Sequence, residues 1–191
     1  SVAANALTIA MKTLAGSDPS ASDPVYVCFR NVTAATGNFA VLTLTSATSL
    51  VLSSGSTMGA ANATPFRLWV VGFNDGGTFR LGAIKCAAPG RIHPLQDDGL
   101  ASSTAEGGAG AADSAGVIYT GTAVSAKACR ILGYVEWSSG LTTAGTWAIV
   151  PTKIQLFGAG IRLPGETVQT VLATTTSTVT HTNSGMTDTG L

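Results

Sequence analysis

Charge is what this sequence has least of. Lys, Arg, Asp and Glu together make up only 10% of its 191 residues, against about 25% in an average soluble domain. Glu occurs three times and Lys four times, so the residues that favour exposed helices are nearly missing. Ten basic residues balance ten acidic ones and leave a formal net charge of zero. A neutral chain without a basic stripe has no electrostatic means of gripping a phosphate backbone, which argues against nucleic-acid binding. Near-zero charge on so apolar a chain also favours self-association, because little like-charge repulsion keeps copies apart.

Long hydrophobic runs are missing too. No stretch approaches the ~18 consecutive apolar residues of a membrane span, so membrane insertion is not expected. The opening Ser1-Val2-Ala3-Ala4-Asn5 lacks the charged end of a signal peptide, and the absence of an initiating Met suggests that something precedes Ser1. Cysteine is scarce: Cys28, Cys86 and Cys129 are an odd number, widely spaced and without a CxxC pair. That pattern reads as three buried thiols rather than a disulfide framework or a zinc site, and fits synthesis in a reducing cytosol.

What remains is apolar and β-forming. Hydrophobic residues make up 45% of the chain and 23 residues are Gly, which is too apolar for disorder. Thr, Val and Ile, which suit a pleated surface, recur throughout. Strand-like runs fall at residues 7–12, 25–30, 39–44, 48–52, 66–73, 78–86, 117–120 and 128–137, with a short pair at 147–150 and 153–157. Asn74-Asp75-Gly76-Gly77 supplies a hairpin turn between two of them. Regular strands between turn signals predict an all-β fold, an antiparallel β-sandwich of jelly-roll type over residues 1–173. The Thr-rich residues 174–191 cannot bury enough surface to fold alone and read as an extended linker or an inter-subunit strand.

Two stretches break the strand pattern. Residues 16–24 contain two Asp-Pro steps, which bias each Asp away from helix and predict an exposed loop bearing Asp18 and Asp23. Residues 87–115 are rich in Pro, Gly, Asp, Ser and Ala, and a connection of that length points to a recognition or interface loop. Its polar residues Arg91, His93, Gln96, Asp97 and Asp98 join Asp18 and Asp23 as candidates for surface recognition.

Chemistry-bearing constellations are sparse. His93 beside Asp97 and Asp98 is the one place where imidazole and carboxylates meet, but no second His or Cys stands nearby to complete a metal site, and local turn hydrogen bonds account for it. His181 is isolated in the Thr-rich tail. No GxSxG, phosphate-cradling glycine loop or dinucleotide fingerprint occurs. Glu106, Glu136 and Glu166 could supply paired carboxylates for glycoside hydrolysis. However, Glu106 sits in a flexible Gly-rich loop and Glu166 in a Pro-Gly turn, without the rigid support a catalytic acid needs. The expectation is a non-enzymatic chain with no cofactor and no metal. Among the aromatic residues, Trp69 reads as core, whereas Trp137 and Trp147, next to turn residues, are candidates for ring stacking in a surface groove.

The order of several motifs resembles that of bacteriophage and prophage tail-associated proteins. The resemblance is carried by Ala101-Ser102-Ser103-Thr104-Ala105-Glu106-Gly107-Gly108-Ala109-Gly110-Ala111-Ala112-Asp113 followed by Val117-Ile118-Tyr119-Thr120. Arg130-Ile131-Leu132-Gly133-Tyr134-Val135-Glu136 and Thr143-Ala144-Gly145-Thr146-Trp147 carry it further, with residues 1–12 and Pro164-Gly165-Glu166. It covers the chain to about residue 171, and the loops at 18–24 and 87–99 depart from it. It implies a virion structural protein of tail-fibre or spike type, made in the host cytoplasm and located in the particle. Such proteins usually form homotrimers, contact other virion proteins and present loops to a host surface glycan or protein. In similar proteins the terminal Thr187-Asp188-Thr189-Gly190-Leu191 leads into a further β domain. The alternatives are a capsid-decoration or head-fibre protein, a carbohydrate depolymerase fragment and a lectin-like module.

Overall fold

A computed structural model describes residues 1–31, 38–85 and 99–157. The described residues contain strands and turns and no helix, as the shortage of Glu and Lys predicts. Twelve strands form: β1 (Val2–Ala3), β2 (Ala6–Ala10), β3 (Val25–Arg30), β4 (Phe39–Leu44), β5 (Ser49–Leu52), β6 (Phe66–Asp75), β7 (Thr78–Lys85), β8 (Leu100–Ala101), β9 (Thr104–Ala105), β10 (Tyr119–Thr120), β11 (Lys127–Trp137) and β12 (Lys153–Leu156).

One large sheet runs β12-β11-β6-β7-β10-β9, with β8 pairing beside β11. Against one of its faces lie a three-stranded sheet, β1-β2-β5, and a two-stranded sheet, β3-β4. The fold is thus a β-sandwich, and the described strands pair antiparallel except β9 with β10. Among the described residues the strand order does not trace the two Greek keys of a jelly roll. The segment 174–191 and the boundary near residue 173 lie outside the described residues.

Alternation along the strands sorts side chains between two cores. Leu68 and Val70 of β6, Leu81 and Ala83 of β7, and Leu7, Leu50 and Leu52 of the small sheet fill the space between layers. Trp69, Val71 and Phe73, the intervening residues of β6, face the opposite side of the large sheet with Ile84, Ile118 and Val124. Val27, Phe29 and Leu44 seat the β3–β4 hairpin on Phe79, Ala128 and Leu132. The Phe29 and Phe79 rings are tilted at 6.2 Å.

A β-bulge in β11 sets which core its second half joins. Ile131 pairs with Val71 and Gly133 with Val70, so Leu132 is the additional residue. Before the bulge, the odd positions Cys129 and Ile131 face the outer core; after it, the even position Tyr134 does, and Val135 and Trp137 turn into the sandwich. A one-residue shift exchanges the two faces of a strand, so this insertion is what places Trp137 between the layers.

Turn chemistry agrees with the sequence at the β6–β7 hairpin. Asp75 pairs with Thr78, and the two loop residues, Gly76 and Gly77, have φ of 61° and 95°, the backbone a two-residue hairpin demands. The Gly77 N–H also donates to Asn74 Oδ1 at 2.8 Å. The β1–β2 hairpin solves the same problem with less suitable residues. Ala3 pairs with Ala6, leaving Ala4 and Asn5 at φ of 48° and 60°, and an alanine is strained there. Ala4→Gly is therefore expected to raise the unfolding free energy by about 0.5–1 kcal/mol in a urea titration.

Candidate interaction surface

β3 and β4 carry large apolar side chains on both faces. Their inner face supplies Val27, Phe29 and Leu44 to the core. On the outer face the cross-strand pairs are Tyr26 with Thr43, Cys28 with Val41, and Arg30 with Phe39. There Tyr26 is 64%, Phe39 70% and Val41 46% exposed. An antiparallel sheet with one solvated face ordinarily makes that face polar, and grouped exposed hydrophobes mark interaction sites on soluble proteins. The hairpin is firmly seated: Val27, Phe29 and Leu44 are buried, and the Arg130 guanidinium donates to the Cys28 carbonyl oxygen at 3.2 Å. Arg30 brings the one formal charge among these six outer-face residues.

The loop before β3 is exposed at the expected acidic residues. Asp18 pairs with Lys12 at 2.7 Å, with both side chains about half exposed. Asp23 is exposed, and its N–H donates to Ser20 Oγ at 3.1 Å while its carbonyl accepts from Ser20 N–H at 3.0 Å. Pro19 is buried and pins the loop, and Leu14 is fully exposed beside it. Arg91, His93, Gln96, Asp97 and Asp98 lie outside the described residues, as do Cys86, Glu166 and His181.

Four expectations need correction. Trp137 and Trp147 do not line a surface groove: they are 1% and 0% exposed. Trp137 stacks on Phe66 at 4.8 Å, and Trp147 meets the same ring edge-on at 6.1 Å. Their ring N–H groups are satisfied inside, from Trp137 to the Ile149 carbonyl and from Trp147 to the Ser56 carbonyl. Secondly, residues 147–150 are not a strand. The Trp147 N–H instead donates to the Asn5 carbonyl at 3.1 Å, so this segment spends its backbone on anchoring the indole. Thirdly, Cys28 is exposed, because the strand's alternation points it away from Val27 and Phe29; Cys129 is buried as expected.

The fourth correction concerns residues 99–115, which lie largely at the surface but are tied to the fold rather than free. Short strands β8 and β9 lie within them, and β9 pairs with β10. Glu106 is held in place, its carboxylate accepting from Ser53 N–H at 3.0 Å, Ser53 Oγ at 2.9 Å and Ser56 Oγ at 2.5 Å. Asp113 accepts from the N–H and the hydroxyl of Thr57 at 3.0 and 2.9 Å. These Thr57 bonds, the backbone one first, hold the Asp113 carboxyl below its ordinary value.

The remaining described carboxylates away from the loops also bind their own fold. Glu136 Oε2 takes the Arg67 Nε and Nη2 hydrogens at 2.9 and 2.6 Å, and the guanidinium lies 3.8 Å from the centre of the Tyr134 ring, a cation–π geometry. Asp75 bridges Lys127 and Arg80 at the end of the β6–β7 hairpin. The Lys127 hydrogen bond, with help from Arg80, holds the Asp75 carboxyl below its ordinary value.

Tyr26, Cys28, Phe39 and Val41 were not among the residues expected from sequence to form a surface. Their signal was present in the strand runs themselves: Val25-Tyr26-Val27-Cys28-Phe29 is apolar at both parities. That pattern ordinarily means a strand buried on both sides, and here it belongs to a two-stranded sheet.

Compared with protein-family models, with curated proteins and with solved structures, the chain matches none. Its functional reading therefore rests on its own residues.

Proposed function

We propose that the chain is a structural module of a bacteriophage virion, of tail-fibre type, which packs against copies of itself and against neighbouring virion proteins and carries loops toward a host surface. The observation that supports this reading best is the outward apolar face of the β3–β4 hairpin, Tyr26, Phe39 and Val41, on a chain of zero net charge. A firmly seated apolar face is suited to permanent burial between subunits, where side-chain ordering on association costs least. The resemblance of the segments at 101–120 and 130–147 to tail-associated proteins adds the virion context. The exposed loop bearing Asp18 and Asp23 is the described part of the surface offered to a host.

Combined replacement of Tyr26 by Ser, Phe39 by Ser and Val41 by Thr tests the assembly half of this proposal. Each side chain points to solvent, so the circular dichroism and the melting temperature are expected to stay close to those of the parent. Sedimentation of the parent should give a homo-oligomer, with a trimer expected, and the triple variant should sediment as a monomer. An oligomer unchanged by the three substitutions, or a parent that is monomeric at high concentration, would remove the hairpin face from the account.

A further inference from the structure

The connection between β9 and β10 crosses the segment between β5 and β6, and polar bonds do most of the fastening. Residues 106–115 carry no side chain larger than alanine apart from Glu106, Asp113 and Ser114. Ala112 alone among them joins the core. The glycines opposite let the backbones lie close: a Cβ added to Gly55 would come within 2.5 Å of the Ala109 Cβ, and one at Gly59 within 2.4 Å of Ala115 N. With so little apolar area to bury, the crossing depends on Glu106 bound to Ser53 and Ser56, Asp113 bound to Thr57, and the Met58 N–H donating to the Ala112 carbonyl at 2.8 Å.

We propose that residues 106–115 are an acid-released strap, fastened to residues 53–59 by the Glu106 and Asp113 carboxylates and loosened at its Asp113 end when that carboxylate is neutralised. Both carboxylates serve as acceptors, and the backbone N–H groups of Ser53 and Thr57 can only donate. Protonation weakens each acceptor and gives it a hydrogen that the N–H cannot accept. Among the described residues no ion pair holds Asp113, so the bonds from Thr57 are what its neutralisation weakens.

Residues 53–59 face the strap with hydroxyls and glycines and carry no charge. Of the other elements packed there, β7 contributes Lys85, whose ammonium binds the Gly59 carbonyl at 2.7 Å. β10 contributes Tyr119, whose hydroxyl accepts the Ser114 N–H at 3.1 Å. The sign follows from Asp113, whose folded value lies below the ordinary one. Its stabilisation is complete above the unfolded value and is lost as pH falls through the folded one. Acid therefore loosens the strap and uncovers Ser56 and Met58, which are fully buried in the closed form.

Hydrogen exchange on the full chain tests this. At neutral pH the amides of Ser53, Thr57 and Met58, which donate to the strap, should be protected. At about pH 2, well below the ordinary aspartate value, the protection factors of Thr57 and Met58 should fall by about tenfold or more, while those of Val70 and Ile131 in the large sheet stay high. The Asp113→Asn variant imitates the neutral group and should show part of the loss already at pH 7, with a smaller response to acid, whereas Glu106→Gln weakens the other fastening and should lower the protection of Ser53 at neutral pH. Protection of Thr57 and Met58 that persists at about pH 2, or that falls only together with Val70 and Ile131, would overturn the strap. The pH series on the parent chain decides the matter even where a variant fails to fold.

Discussion

Replacement of Trp147 by alanine is expected to lower the unfolding free energy by about 3–5 kcal/mol, the largest loss for any single side chain considered. The indole is wholly buried and touches both Phe66 and Trp137. The Trp147 backbone N–H reaches the Asn5 carbonyl in the β1–β2 turn and its indole N–H the Ser56 carbonyl beside the strap, so three segments remote in sequence are tied together. Trp147→Phe separates these contributions: it keeps much of the ring but leaves the buried Ser56 carbonyl without its donor, a loss of about 1–3 kcal/mol. Equilibrium denaturation of both variants measures the difference. A Trp147→Ala variant within about 1 kcal/mol of the parent would mean that this segment is not the inter-layer anchor it is described to be.

The second large effect is at the bulge. Gly133 sits with φ of 155° where β12 passes close, and an added Cβ would lie 2.2 Å from the Gln155 carbonyl oxygen and 3.0 Å from the Leu156 Cα. Both obstacles are backbone, so relief requires β12 to move away from β11 or the bulge to rearrange. Gly133→Ala is expected to cost at least about 2 kcal/mol, and Gly133→Val more. Because the bulge decides which face Trp137 occupies, tryptophan fluorescence should shift along with stability. An alanine variant with parental stability and emission would contradict the placement of β12.

These two positions illustrate how the sequence did and did not disclose the fold. β3 and β4 were legible to the residue because their apolar runs are bounded by Asp-Pro on one side and turn residues on the other. The β6–β7 hairpin was legible because Gly76 and Gly77 fit only one kind of connection. Trp147 was misread for a definite reason: Gly145 and Thr146 are turn residues, and turns are ordinarily at the surface. Here, however, the turn folds inward on Gly55, with the Gly55 N–H donating to the Gly145 carbonyl at 2.8 Å. Composition likewise made residues 99–115 look like a free loop, because glycine and alanine carry no periodic pattern. Their order comes from Glu106 and Asp113 meeting partners 50 or more positions away, a kind of pairing that no local pattern encodes.

The candidate surface was partly legible. Asp18 and Asp23 lie on an exposed loop as Asp-Pro punctuation implied, whereas the apolar outer face of β3–β4 went unnoticed because strand pairing determines whether a doubly apolar strand becomes central or peripheral. Two tryptophans favoured for stacking turned out to be core, and the exposed rings are Tyr26 and Phe39. Any stacking on a ligand by the described residues falls first to those two.

Cryo-electron microscopy of the phage particle in which the chain is proposed to reside tests the proposed function most directly. The account predicts the sandwich within a tail appendage, with Tyr26, Phe39 and Val41 buried against a neighbouring subunit and the loop of Asp18 and Asp23 turned outward. Density for the chain spread over the head shell would contradict the tail assignment in favour of capsid decoration. A particle without the chain would contradict the virion reading altogether.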